Sequence, residues 1–237
     1  LRPPASRGRL RLRLSLNLLP MRIFLTGARG QLGRELQRTL SRHDVTSADL
    51  PGFDLLTADA EQQMVQAQPD VILHAAAYTD VEGAEREPDK ARAVNVEGTE
   101  RAASAAANVG ARLIVMSTDY VFDGKKGAPY VETDQPHPLN TYARTKLEGE
   151  QRALALCPKA LVVRTAWLYG LHGKNFVNTI LRVAREKPEL RVVADQRGSP
   201  THAGDLAEAL ARIVHTDLSG IVHAVGEGGC TWYEFAC

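Results

Sequence analysis

Two residues four apart, Tyr142 and Lys146, lie in the run Asn140–Leu147 and form the pattern Tyr-x-x-x-Lys. On a helix this spacing places both side chains on one face. An ammonium beside a phenol favours the phenolate, so Lys146 is expected to lower the Tyr142 pKa toward the working range. Such a tyrosine can hand a proton to a carbonyl oxygen as hydride arrives at the carbon. A hydroxyl at the carboxyl end of a preceding strand can bond the same oxygen. Thr118 is the first choice for that role and Ser117 the second.

Hydride chemistry needs a nucleotide cofactor, and a second group of residues fits one. Gly27, Gly30 and Gly33 follow a short apolar run and open a helical pattern, with Arg29, Gln31 and Leu32 between them. Glycine lets such a turn stay tight and approach a pyrophosphate, which the first helix amides and the helix dipole hold. The spacing is Gly-x-x-Gly-x-x-Gly rather than the simplest dinucleotide fingerprint. Asp49 lies 22 residues after Gly27 and is the expected partner of the adenosine ribose. A carboxylate there favours NADH over NADPH, and Arg29 offsets that preference, so both cofactors stay open. Asp54, beside Leu55, is expected either to contact adenine or to cap a turn. Ala75, Ala76 and Ala77, with Thr79 just beyond, let backbone lie against a cofactor ribose and nicotinamide. His74 follows three apolar residues and reads as a satisfied core histidine. Asn95, inside a long helical stretch, reads by default as a surface asparagine.

These groups must be positioned by alternating strands and helices. Strands are predicted at 22–26, 45–48, 70–74, 112–116 and 160–164, and helices at 31–42, 61–67, 88–108 and 141–156. That alternation implies parallel pairing through right-handed crossovers, hence an α/β doubly wound, Rossmann-like sheet. After Trp167 the chain turns loop-rich over 169–174 and 195–201. A smaller substrate lobe on the carboxyl ends of the strands is expected there. The expected division is a leader over 1–20, a dinucleotide-binding domain over 21–165, and over 166–237 mostly the substrate lobe, interleaved with the sheet.

Length and composition agree. The 237 residues carry 29 Lys+Arg and 28 Asp+Glu, a net charge of +1, with 44% hydrophobic residues. Residues 1–20 hold five arginines and no acid, so the rest of the chain stands at −4. Near-neutrality argues against a general grip on nucleic acid. The leader alternates arginine with leucine, unlike the apolar stretch of a secretory signal. No run reaches the roughly 18 apolar residues of a membrane span. Cys157, Cys230 and Cys237 lack metal-ligand spacing, and reduced thiols in a cytoplasm are expected.

In combination these motifs resemble a known family. The glycine turn, Ala75–Thr79, Ser117–Phe122, Tyr142/Lys146, Arg164–Tyr169, Asn175–Phe176 and Asp195–Thr201 occur in the order seen in the dTDP-4-dehydrorhamnose reductase family of extended short-chain dehydrogenases/reductases. The resemblance runs from Met21 to Cys237. It implies NADPH- or NADH-dependent reduction of the 4-keto group of dTDP-4-dehydro-L-rhamnose to dTDP-L-rhamnose. It makes Thr118, Tyr142 and Lys146 the catalytic set, and puts Trp167 and Asp119, with Thr118, at the sugar. The expected cofactor contacts are Gly27, Gly30, Gln31, Leu32, Gly33, Asp49, Asp54, Leu55, Ala75, Ala76, Ala77, Thr79, Tyr142 and Lys146. Some relatives place Mg2+ at a dimer contact. Glu35 and Asp205 are only a weak counterpart, so no metal is expected and a homodimer is left open.

Family members usually continue beyond the segment Cys230–Phe235. The chain therefore reads as a fragment or a frameshifted product in which cofactor binding survives better than turnover. Alternatives come from the same fold. A 4,6-dehydratase would show Thr-Asp-Glu where this chain has Thr118-Asp119-Tyr120, while an epimerase uses the same Tyr-Lys pair. A non-catalytic binder would resemble the NADP-binding regulatory subunit of methionine adenosyltransferase, and the intact Thr118/Tyr142/Lys146 set argues against it.

Overall fold

The computed structural model describes residues 19–237, so most of the segment read as a leader lies outside the described residues. The chain begins β1 (Arg22–Thr26), α1 (Gln31–Thr39), β2 (Asp44–Ala48), α2 (Ala60–Gln66) and β3 (Val71–His74). There follow α3 (Val81–Arg86), α4 (Pro88–Arg92), a π turn over Ala93–Glu97, and α5 (Gly98–Val109). Next come β4 (Arg112–Thr118), a 3₁₀ turn over Asp119–Val121, α6 (Thr141–Leu156) and β5 (Ala160–Thr165). The remainder is β6 (Leu168–Tyr169), α7 (Phe176–Glu186), β7 (Arg197–Gly198), β8 (Thr201–His202), α8 (Ala203–Ile213), β9 (Gly220–His223), β10 (Cys230–Thr231) and α9 (Trp232–Ala236).

Six strands form one parallel sheet in the order β2-β1-β3-β4-β5-β9. Alternate residues point to opposite faces, and the core divides accordingly. Phe24, Ile72, Leu113 and Val115 face Met64 of α2 and the alanines of α5. Ile23, Leu25, Val71, Leu73 and Ile114 face Leu32 and Leu36 of α1 and Leu206 and Leu210 of α8. Four alanines of α5, at 102, 103, 105 and 106, are fully buried, and their small side chains let that helix lie close to the sheet.

Strand order reverses at β1, which pairs with β2 on one side and β3 on the other. A crevice opens at the carboxyl ends of strands at such a switch point. Here it lies between the glycine turn after β1 and the alanines after β3.

Three features correct or extend the expected elements. The long helix predicted over 88–108 is broken by a π turn at Ala93–Glu97. A π turn widens one helical turn and re-aims its side chains, often at functional sites. The loops expected over 169–174 and 195–201 are flanked by two helices the sequence reading lacks, α7 and α8, each of eleven residues. The sheet gains its sixth strand, β9, from the same stretch after Trp167. No helix among the described residues is long and apolar enough to cross a membrane.

Candidate active site

The first wall of the crevice is the glycine turn. Gly27 has φ +69°, a left-handed conformation that favours glycine. A Cβ built on it would stand 2.6 Å from the Ala76 amide nitrogen, so the turn and the β3 end touch backbone to backbone. A Cβ on Gly33 would collide with the Gly27 carbonyl, which makes that position equally restrictive. Gly30 precedes α1 without any side-chain cap, leaving the Gln31, Leu32 and Gly33 amides directed at the crevice. Uncapped amides at a helix N-terminus, on a turn too tight for any side chain, fit a dinucleotide pyrophosphate. Gly27→Ala combines left-handed strain with a backbone clash. It is expected to abolish measurable NADPH binding, checked by fluorescence titration, with the urea midpoint reporting the accompanying loss of stability.

The carboxylate expected to hold the ribose closes this turn from below. Asp49 Oδ2 accepts from the Arg29 amide at 2.7 Å and Oδ1 from the Leu50 amide at 2.8 Å. The Arg29 guanidinium donates to the Leu50 carbonyl at 2.8 Å, beside the same carboxylate. Asp54 accepts from the Leu56 amide and caps its turn at the mouth of the crevice, and Leu55 is buried behind it. On the far side, Gln31 Oε1 accepts from Asn175 Nδ2 at 2.7 Å, which ties the turn to the start of α7.

The second wall is built on β4 and α6. Asn140 caps α6 by accepting from the Ala143 amide, and the helix then presents Tyr142, Lys146 and Glu150 at four-residue intervals. Thr118 ends β4, accepts from the Tyr120 amide at 3.2 Å, and donates to Asp119 Oδ1 at 3.2 Å. Desolvation drives the Tyr142 pKa up, opposed by the neighbouring Thr118 hydroxyl. This corrects the expectation of a lowered pKa. The physical reason is that desolvation of the phenol outweighs the other influences on it, while Lys146 Nζ is directed to the Met116 carbonyl at 2.8 Å. Tyr142 is thus held as a neutral phenol, the form able to donate a proton. Burial lowers Lys146 to about 8, with Glu150 opposing the fall. Burial also pushes Asp119 up to about 6.

Ser117 does not compete with Thr118, because its hydroxyl turns away and donates to Glu150 Oε1. His74 is the core histidine expected from its apolar neighbours. Thr99 Oγ1 donates to the Asn95 carbonyl and so accepts from His74 Nε2, leaving Nδ1 to accept from Thr26 Oγ1 at 2.8 Å. Desolvation holds the ring neutral, with its pKa lowered to about 3. Asn95 is not the surface residue expected but 1% exposed. The π turn points it inward, where it receives the Tyr78 amide and donates to the Tyr78 carbonyl and Thr145. It thereby pins the β3 loop to α6.

Every residue proposed from the sequence lines one cleft of about 1030 Å³, from Asp49 and Asp54 at one end to Asp119 and Trp167 at the other. Lys90, Val94 and Trp232 line it too and carried no local signal. Trp167 has φ +47° and stacks on Trp232 with ring centroids 3.4 Å apart and planes 8° from parallel. Holding a tryptophan in the left-handed region costs on the order of 1–3 kcal/mol. Gly198 packs against the indole, where any Cβ would meet Trp167 Nε1 at 2.6 Å.

Fold and cleft together define a Rossmann-type, nicotinamide-dependent oxidoreductase of the short-chain dehydrogenase/reductase class. Residues 21–237 match the family described as RmlD substrate binding domain, and the chain belongs to that family. It is 43% identical over 225 residues to a dTDP-4-dehydrorhamnose reductase of Aggregatibacter actinomycetemcomitans, covering 91% of this chain and 76% of the relative. The dTDP-4-dehydrorhamnose reductase of Escherichia coli K12 is 42% identical, with the same shares covered. A crystal structure of dTDP-4-dehydrorhamnose reductase from Bacillus anthracis in complex with NADP superposes with a TM-score of 0.88 at 43% identity. That match covers 92% of this chain and 78% of the other.

Proposed function

We propose that this protein reduces the 4-keto group of dTDP-4-dehydro-L-rhamnose with NADPH or NADH, yielding dTDP-L-rhamnose. The observation that carries the reading is that Tyr142, Thr118 and Lys146 line the same cleft as the glycine turn. The names of the relatives supply the sugar. Gln31, Leu32 and Gly33 hold the pyrophosphate through their amides, Asp49 the adenosine ribose and Lys146 the other ribose. When bound, the cofactor supplies a hydride to the sugar C4. Tyr142 gives its proton to the oxygen on that carbon as negative charge develops there, and Thr118 orients the oxygen. Asp119 and Trp167 bound the sugar. We read residues 21–165 as the dinucleotide-binding part and 166–237 as mostly the substrate lobe, with the reaction in the cytoplasm. A dehydratase is disfavoured because Tyr120 stands where its acid would.

The test is loss of NADPH absorbance on adding dTDP-4-dehydro-L-rhamnose, with dTDP-L-rhamnose as the product identified by mass and NMR. Absence of turnover in this chain and in one extended to the length of its relatives would overturn the reading. Because Lys146 must carry its proton to hold the ribose, NADPH affinity is expected to fall as pH rises through about 8. An unburied lysine would keep its charge to about 10.4. NADPH titrations between pH 6.5 and 9.5 check this, and a flat profile would remove Lys146 from that role.

A further inference from the structure

We propose that Glu150 is a positioning residue for this reductase: through Ser117 and Arg164 it fixes α6, with Tyr142 and Lys146, against the end of β4 that carries Thr118. The inference rests on the reductase reading. Glu150 and Arg164 are only 2% and 3% exposed, and neither lines the cleft. Arg164 Nε donates to both Glu150 oxygens at 3.0 and 3.2 Å, and Nη2 donates to Oε2 at 2.7 Å. Ser117 donates to Oε1 from β4, so one carboxylate joins β4, α6 and β5. One turn earlier on the same face of α6, Lys146 donates to the Met116 carbonyl. The helix is therefore fastened to two successive residues of β4, and Thr118 is the third. Two contacts one turn apart fix both the separation and the rotation of α6 relative to that strand. An apolar pair could fill this space with equal or greater stability, so a buried ion pair is weakly explained by stability alone.

The charge acts on Lys146 as well. Glu150 favours its ammonium form, opposing desolvation. Among the charged groups on elements packed against α6, Glu85 accepts from the Thr141 amide and Lys90 pairs with Glu87. Arg92 and Glu100 pair with Glu148 and Arg152 on the outer face. Arg164 is spent on Glu150. His74 of β3 is neutral, and the carboxylate acting on Lys146 is that of Glu150 rather than Asp119.

Two variants separate the fastening from the charge. Ser117→Ala removes the tie to β4 alone, and Glu150→Gln/Arg164→Gln removes both charges together so that neither is left buried by itself. Ser117→Ala is expected to lower kcat about 10- to 100-fold, with NADPH Kd and the alkaline limb of NADPH binding unchanged. The double variant is expected to lower kcat comparably and to move that limb down by about one pH unit. Unchanged kcat in Ser117→Ala, or an unmoved limb in a folded double variant, would overturn the proposal. Should the double variant fail to fold, Ser117→Ala decides. The limb is read without sugar, so NADPH binding by the parent protein, with no turnover of the sugar in it or in the chain extended to the length of its relatives, overturns the reductase reading. In that case the limb alone decides the role of Glu150.

Discussion

Tyr142→Phe is expected to lower turnover about 10²–10⁴-fold, the usual worth of a positioned general acid, while NADPH affinity stays close to that of the parent. The substitution keeps the ring, which packs edge-on to Tyr120 at 5.7 Å between centroids. It keeps the helix face and Lys146, and removes one hydroxyl. Burial keeps that hydroxyl protonated, so what is lost is a proton donor rather than a phenolate. The effect therefore belongs in kcat and not in cofactor binding. Stopped-flow NADPH oxidation gives the first quantity and fluorescence titration the second. Normal turnover would take Tyr142 out of the chemistry altogether.

Arg164→Met is expected to cost about 3–5 kcal/mol of stability, because it leaves the Glu150 carboxylate uncompensated in a nearly dry site. The same change removes the guanidinium 5.1 Å above the Phe122 ring, a smaller contribution. Against a total stability of about 5–15 kcal/mol, such a loss brings the protein close to unfolding at 25 °C. Urea unfolding measures it as a fall in midpoint at constant slope. The charge-neutral Glu150→Gln/Arg164→Gln pair should lose much less, since no lone charge remains. A single variant no less stable than the double would show that the pair is not shielded from water.

Much of the fold was legible because its signals are local. The glycine turn lies between an apolar run and a helical pattern, and the strands at β1, β3, β4 and β5 are short continuous apolar runs. Tyr142 and Lys146 were found because helical spacing alone puts them on one face. Asn95 was misplaced because an asparagine inside an alanine-rich helix carries no mark of its direction, and the π turn that buries it is a packing outcome. Lys90 and Trp232 went unnoticed for the same reason: their neighbours in sequence are not their neighbours in the cleft. The sixth strand, β9, was missed because four residues with little periodicity read as loop until β5 lies beside them.

Backbone chemistry and short-range periodicity thus settle, within this chain, the parallel α/β sheet, the nucleotide turn and the Tyr-x-x-x-Lys face. These depend on φ preferences and on residues within about one helical turn of each other. Protonation and orientation belong to the tertiary structure. Helical spacing suggested that Lys146 would acidify Tyr142. Packing instead directed the ammonium to the Met116 carbonyl and desolvated the phenol. Between the two hydroxyls at the end of β4, it gave Ser117 to Glu150 and left Thr118 for the cleft. Desolvation and hydrogen-bond partners are set by residues 30 to 50 positions apart in the chain, which only folding brings into contact.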